Sequence, residues 1–183
     1  IAMYQNFLGG QDENWFVLVH VAIEATAGGA LQLATELVTA SENKDAVEVE
    51  RLLIEMNMVW DAMNAHFDRM PERCDPYIYY QRVRPYIHGW KNNPALPDGL
   101  IYEGVAKFAG KPHAFRGQTG SQSSIVPAMD GLFQVVHESD PLREFLDELH
   151  QYRPPQHRGF IDAVREASTL RDFAKTRNQS VKE

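Results

Sequence analysis

Cysteine is almost absent: the one thiol, Cys74, excludes an intrachain disulfide, a cysteine-built zinc site and an iron–sulfur cluster. A reducing compartment, most simply the cytoplasm, is the expectation. Positive charge is also scarce. The 18 Lys+Arg against 25 Asp+Glu give a net charge of −7 with no basic run, which argues against nucleic acid or an anionic membrane as partner. The longest apolar stretch, Trp15 to Ile23, is interrupted by His20 and falls short of the roughly 20 residues that span a bilayer, so no transmembrane helix is expected. No basic region with a small-residue cleavage site opens the chain, which does not start with Met. At the other end, Asn178 to Glu183 resembles a cap and first turn of a helix with nothing after it. A fragment of a larger protein is expected.

What is present is helical. From about Asn14 to Thr39, Phe16, Val19, Ile23, Ala27, Ala30, Leu31 and Ala34 recur at helical spacing, predicting a long, largely buried helix. Gly28-Gly29 within it costs roughly 1 kcal/mol per glycine relative to alanine. Such a cost is tolerated where a backbone or a flat ligand comes close. Val49, Leu52, Leu53, Met56, Trp60, Met63 and Phe67 predict a second helix facing the first. Asp75-Pro76 supplies an N-cap and a first-turn proline for a third segment through Tyr79, Tyr80, Val83 and Tyr86, which Pro85 should bend or end.

Residues 91–122 collect the loop signals, including Asn93-Pro94, Pro97-Asp98-Gly99, Gly110-Lys111-Pro112 and Gly117 to Gly120. Irregular stretches of that length between buried-looking flanks are usually functional. A helix is expected from Ser121 to about Glu138, then shorter ones over Pro141–Gln151, Pro154–Ala167 and Ser168–Ala174. With no convincing strand, repeat or heptad, the fold class is all-α, an irregular helical bundle.

Several chemistries are excluded by missing patterns. There is no Glu-x-x-His pair for a di-iron bundle, no His-Glu-x-x-His, no Gly-x-Ser-x-Gly and no Walker loop. His66, His88, His113, His137, His150 and His157 lack metal-ligand spacing. His20 lies in an apolar run with Glu24 one turn later, so its imidazole is either a satisfied core group or a ligand or acid/base group. Tyr80 and Arg84, at i and i+4, place an aromatic surface beside a guanidinium fork suited to an aromatic carboxylic acid, or form a surface arginine over a core tyrosine. Phe115 to Ser124 combines glycines and hydroxyls before a helix, an arrangement that can meet a carboxylate or propionate or be ordinary capping chemistry.

Five blocks in this order resemble the indoleamine 2,3-dioxygenase family. They are Tyr79-Tyr80-x-x-x-Arg84, Gly89-Trp90-Lys91-x-Asn93-Pro94, Asp98-Gly99-Leu100-x-Tyr102-Glu103-Gly104, Gly120-Ser121-Gln122-Ser123-Ser124 and Tyr152-x-Pro154-Pro155-x-His157-Arg158. The resemblance covers the chain from Phe16 onward. It implies that residues 1–183 are part of a single large helical catalytic domain holding a b-type haem, with a functional loop at about 91–122. It further implies that L-tryptophan or a related indole, dioxygen and a reductant are partners. Oxygen activated by the haem would open the indole C2–C3 bond to give N-formylkynurenine.

By the same resemblance Arg84 grips the substrate carboxylate, and Phe16, Tyr79 and Tyr80 enclose the indole. His20 is similar to the distal histidine of tryptophan 2,3-dioxygenase, which accepts the indole N–H. Thr119, Gly120 and Ser121 match a flexible segment beside the substrate ammonium and a haem propionate. Asp130 matches an acid that pairs with an arginine preceding the proximal haem ligand. That arginine and the proximal histidine are expected beyond Glu183. Tyrosines at 79 and 80 stand where many relatives carry phenylalanine. They leave room for two other readings: a haem enzyme rearranging a substituted tryptophan, as in the pyrrolnitrin pathway, or a non-catalytic haem- or indole-binding sensor.

Overall fold

Two long antiparallel helices organise everything else, and a computed structural model describes them within residues 2–180. Helix α1 runs Gln11–Glu42 and α2 runs Ala46–Phe67. The reversal between them needs only three residues, because Lys44 adopts a left-handed φ of 58° and Asp45 caps α2 by accepting from the Glu48 N–H at 3.1 Å. Ala30, Ala34 and Leu37 of α1 meet Leu52 and Met56 of α2 in the main core. Small residues on α1 let the second helix approach closely, and each fully buried leucine contributes about 1.5–3 kcal/mol.

Helix α1 is less buried than its composition suggests. Its C-terminal half is core, while its N-terminal half presents a face to a cavity. By length and composition alone α1 would also suffice to cross a membrane, a property that counting the short apolar run from Trp15 to Ile23 does not reveal.

The third segment starts as expected, with the Asp75 carboxylate accepting from the Ile78 N–H at 3.0 Å over α3 (Pro76–Ile78). Pro85 does not end it. Instead the chain widens into a π turn over Tyr79–Val83 and resumes as α4, Arg84–Ile87. Proline has no N–H to place in an α-helical ladder, and the wider turn, in which the Arg84 N–H reaches the Tyr79 carbonyl, absorbs the mismatch.

The irregular region contains the one strand pair among the described residues, besides an isolated bridge between Gly89 and Arg116. Strands β1 (Leu100–Ile101) and β2 (Pro112–His113) pair antiparallel, with Leu100 opposite His113. Two-residue strands leave no periodicity to detect. Farther along, Gly89 and Gly117 cross backbone to backbone. A Cβ on Gly117 would lie 1.8 Å from the Ile87 carbonyl oxygen, so only glycine allows this return of the loop onto the end of α4.

A 3₁₀ turn at Gly120–Gln122 leads to α5, Ile125–Leu132, which is shorter than the expected 121–138. Gln134, at φ 50°, ends it, and the Val135 N–H bonds back to the Asp130 carbonyl at 2.9 Å. Helices α6 (Pro141–His150), α7 (Pro155–Ala167) and α8 (Leu170–Ser180) complete the fold. Ala128, Leu132, Ile161 and Leu170 seal the core from the side of α5, α7 and α8. Asn178 to Ser180 belong to α8 rather than to a fresh cap, and the rest of that expectation, residues 181–183, lies outside the described residues.

Candidate functional site

One face of α1 presents Phe16, His20, Glu24 and Gly28 at four-residue intervals, so that each stands about one turn above the last. These residues line a cavity of about 890 Å³. The π segment closes one side with Tyr79 and Val83 and α4 adds Arg84, while the 118–125 segment forms the facing wall. Of the residues singled out from the sequence, Phe16, His20, Tyr79, Arg84, Thr119 and Gly120 all line this space.

Aromatic packing organises the interior. Phe16 stacks on Tyr79 with centroids 4.3 Å apart and lies 4.4 Å from the His20 ring. His20 Nδ1 is 2.8 Å from the Phe16 carbonyl oxygen, which can only accept, so the proton of the neutral ring sits on Nδ1. The Nε2 lone pair is thereby left for a ligand. A Cβ on Gly120 would stand 3.6 Å from His20 Nε2, an ordinary contact. Alanine therefore fits at 120, whereas a longer side chain would enter the space in front of the imidazole.

Gly28 is not explained by crowding, since nothing lies within 4 Å of where its Cβ would be, and Gly29 makes only an ordinary contact, 3.6 Å, with Val59. Glycine at 28 instead widens the cavity floor. Arg84 donates from Nη1 to the Tyr79 hydroxyl at 3.5 Å and has no acidic partner among the described residues. A guanidinium so placed is available to an anionic ligand.

Two residues expected at the cavity fall elsewhere, and Asp130, expected to hold an arginine beyond Glu183 rather than to line the space, also stands outside it. Tyr80 is 66% exposed and does not line the cavity, because the π turn pairs Arg84 with the residue five before it rather than four. Ser121 turns its carbonyl away from the cavity toward Arg153. The Asp130 carboxylate, on α5, accepts from His137 Nε2 at 2.8 Å.

Other side chains also shape the site. Glu13, 2% exposed, accepts from the N–H groups of Phe7, Leu8 and Gly9 at 2.6, 2.8 and 3.0 Å. Burial pushes its carboxyl up, but these three donors outweigh that and hold it below the usual value. It thereby pins the N-terminal segment, whose Met3 and Phe7 line the cavity. A first-turn acid is so common in helices that nothing in the sequence marks this one.

A second anchor holds the loop. Glu148 of α6 accepts from Arg116 Nη2 at 2.9 Å and Lys91 Nζ at 2.5 Å, and these cations pull its carboxyl down to about 2. His157, at the cavity edge, pairs through Nδ1 with the Ser124 hydroxyl at 2.9 Å. No cluster of three or more His, Cys, Asp or Glu that could hold a metal occurs among the described residues.

Comparison with known proteins agrees with this geometry. The family model described as indoleamine 2,3-dioxygenase matches residues 1–183. The chain is similar to indoleamine 2,3-dioxygenase 1 of Rattus norvegicus, 34% identical over 97% of this chain and 44% of the relative. It is 32% identical to an indoleamine 2,3-dioxygenase of Aspergillus nanangensis, over 95% of this chain and 43% of that protein. An indoleamine 2,3-dioxygenase of Saccharomyces cerevisiae is 27% identical over 98% of this chain and 41% of its own length. The chain thus spans less than half the length of these relatives. With the match covering every residue and the cavity assembled from the motifs of that resemblance, the chain belongs to the indoleamine 2,3-dioxygenase family.

Proposed function

We propose that this chain forms the substrate-facing side of a haem pocket in a dioxygenase that opens the indole ring of L-tryptophan or a close analogue. The observation that carries the reading is the convergence of His20 and Arg84, from different elements, on one cavity beside the Phe16–Tyr79 stack. A hydrogen-bond acceptor, a cation without an acidic partner among the described residues and an aromatic surface match the indole N–H, the carboxylate and the ring of an aromatic amino acid.

The lining also fits a flat macrocycle. Gly28 leaves the floor open, and the 119–124 segment offers backbone and hydroxyl groups to a propionate. A b-type haem would supply the activation of dioxygen, drawing electrons from an external reductant.

The protein's own work is positioning. Arg84 takes the carboxylate, with the Tyr79 hydroxyl bracing its guanidinium. Phe16 and Tyr79 restrict the indole plane and exclude water. His20 Nε2 accepts the indole N–H and is kept in the accepting tautomer by the Phe16 carbonyl. Thr119 and Gly120 leave room for the ammonium group beside the imidazole.

The test is a visible spectrum of the full-length protein, reduced without oxygen in the presence of L-tryptophan, with N-formylkynurenine absorbance followed after oxygen is admitted. A Soret band and product formation support the reading. A Soret band without product points to a rearranging enzyme or a sensor, and no Soret band overturns the haem assignment.

A further inference from the structure

Behind the Gly120–Ser124 wall lies a buried cation that the chemistry above does not use. Arg153, 4% exposed, sits between α6 and α7 next to Pro154. Its Nε donates to the Ser123 carbonyl at 3.0 Å and its Nη2 to the Ser121 carbonyl at 2.7 Å. No carboxylate reaches it among the described residues. A buried guanidinium without an ion-pair partner is costly unless its donors are matched. Here two of them are spent on the peptide groups that shape the cavity wall.

The third donor direction meets a titratable group. Arg153 Nη1 is 3.2 Å from His150 Nδ1. Guanidinium can only donate, so Nδ1 must accept, which requires a neutral ring with its proton on Nε2. That nitrogen lies 3.8 Å from an Asp162 carboxylate oxygen. Protonating Nδ1 would set a donor against a donor and a cation against a cation. Burial keeps the His150 imidazole below its ordinary value; Asp162 opposes this, while Arg153, Arg165 and Arg158 reinforce it.

We propose that Arg153 is a positioning residue for the Gly120–Ser124 wall and that neutral His150 holds it there, so that ligand affinity at this wall weakens when His150 takes a proton. The ligand part rests on the reading of the cavity given above. The mechanism is local: without Arg153 the Ser121 and Ser123 carbonyls lose their donors, and the 3₁₀ turn that sets Gly120 against His20 loses its backing. The chemistry itself is untouched. The expected signature is therefore a weaker hold on substrate with little change in turnover.

The experiment uses the full-length haem-loaded protein and the variants Arg153→Met and Arg153→Lys, with hydrogen–deuterium exchange of the 118–125 segment read beside the KM and kcat for L-tryptophan. In Arg153→Met, exchange of this segment accelerates on the order of 10-fold and KM rises by a similar factor while kcat moves less than about 2-fold. The lysine variant recovers part of both. Once the pH falls through the His150 value, which lies below the ordinary histidine value of about 6.5, the wild-type KM approaches that of Arg153→Met. Unchanged exchange in both variants overturns the proposal, as does a KM ratio that is independent of pH. If exchange responds but the wild type does not bind tryptophan, the cavity reading falls and the link between Arg153 and the wall stands.

Discussion

The His20 imidazole donates from Nδ1 to the Phe16 carbonyl at 2.8 Å, a bond within one helical turn that decides which ring nitrogen faces the cavity. A neutral histidine so tied can only accept through Nε2. His20→Ala is expected to lower tryptophan affinity about 10-fold, the worth of one hydrogen bond of about 1.4 kcal/mol, with haem content unchanged. Tryptophan titration and the Soret absorbance per protein check this together. Loss of haem from the variant would instead make His20 an iron ligand.

Arg84 is expected to carry more. Arg84→Ala removes a charge-assisted contact to the carboxylate and should weaken tryptophan binding by about 3 kcal/mol, roughly 100-fold. Indole, which has no carboxylate, should bind both proteins alike. Equal losses for the two ligands would remove the carboxylate clamp. Tyr79→Phe should have a smaller effect in the same direction, because the hydroxyl only braces the guanidinium.

Glu13 ties the N-terminal segment to α1 through three backbone donors. Glu13→Gln turns an acceptor into a group that presents N–H to N–H, and should destabilise the fold by about 2 kcal/mol at neutral pH. Its folded value is depressed, so its contribution is full above the unfolded value of about 4.3 and is lost as pH falls through the lower folded value. Denaturant unfolding of wild type and variant between neutral and acid pH measures the difference.

Glu148 extends the same logic to the loop. With its carboxyl at about 2, the stabilisation it gains from Arg116 and Lys91 persists well below neutral pH. It begins to fade near the unfolded value of about 4.3 and disappears as pH drops through the folded one. Glu148→Gln should therefore lower Tm at pH 7, and the gap to wild type should close in strong acid. A gap that stayed constant would mean that the loop is anchored by packing alone.

Much of this architecture was legible from residues alone. Periodicity marked α1 and α2 because their stripes are long, and Asp75-Pro76 marked the start of α3 because capping is a local event. The ordered motifs pointed to the family before any geometry. The ends of α5 and the β1–β2 ribbon were not legible: one left-handed residue, Gln134, and a pairing across ten intervening residues are decided by contacts outside any window.

The candidate site shows the same division. Sequence by itself determined which chemistries were on hand: an imidazole in an apolar helix, an arginine among tyrosines, and a small-residue segment before a helix. Tertiary structure decided which of them meet. It chose Tyr79 over Tyr80, because a π turn shifts the angular position of a side chain in a way that spacing rules for an α-helix cannot anticipate. It also brought Arg153 behind Ser121 and Ser123, 30 or more residues away in the chain, because a buried guanidinium must find acceptors wherever the packed backbone offers them.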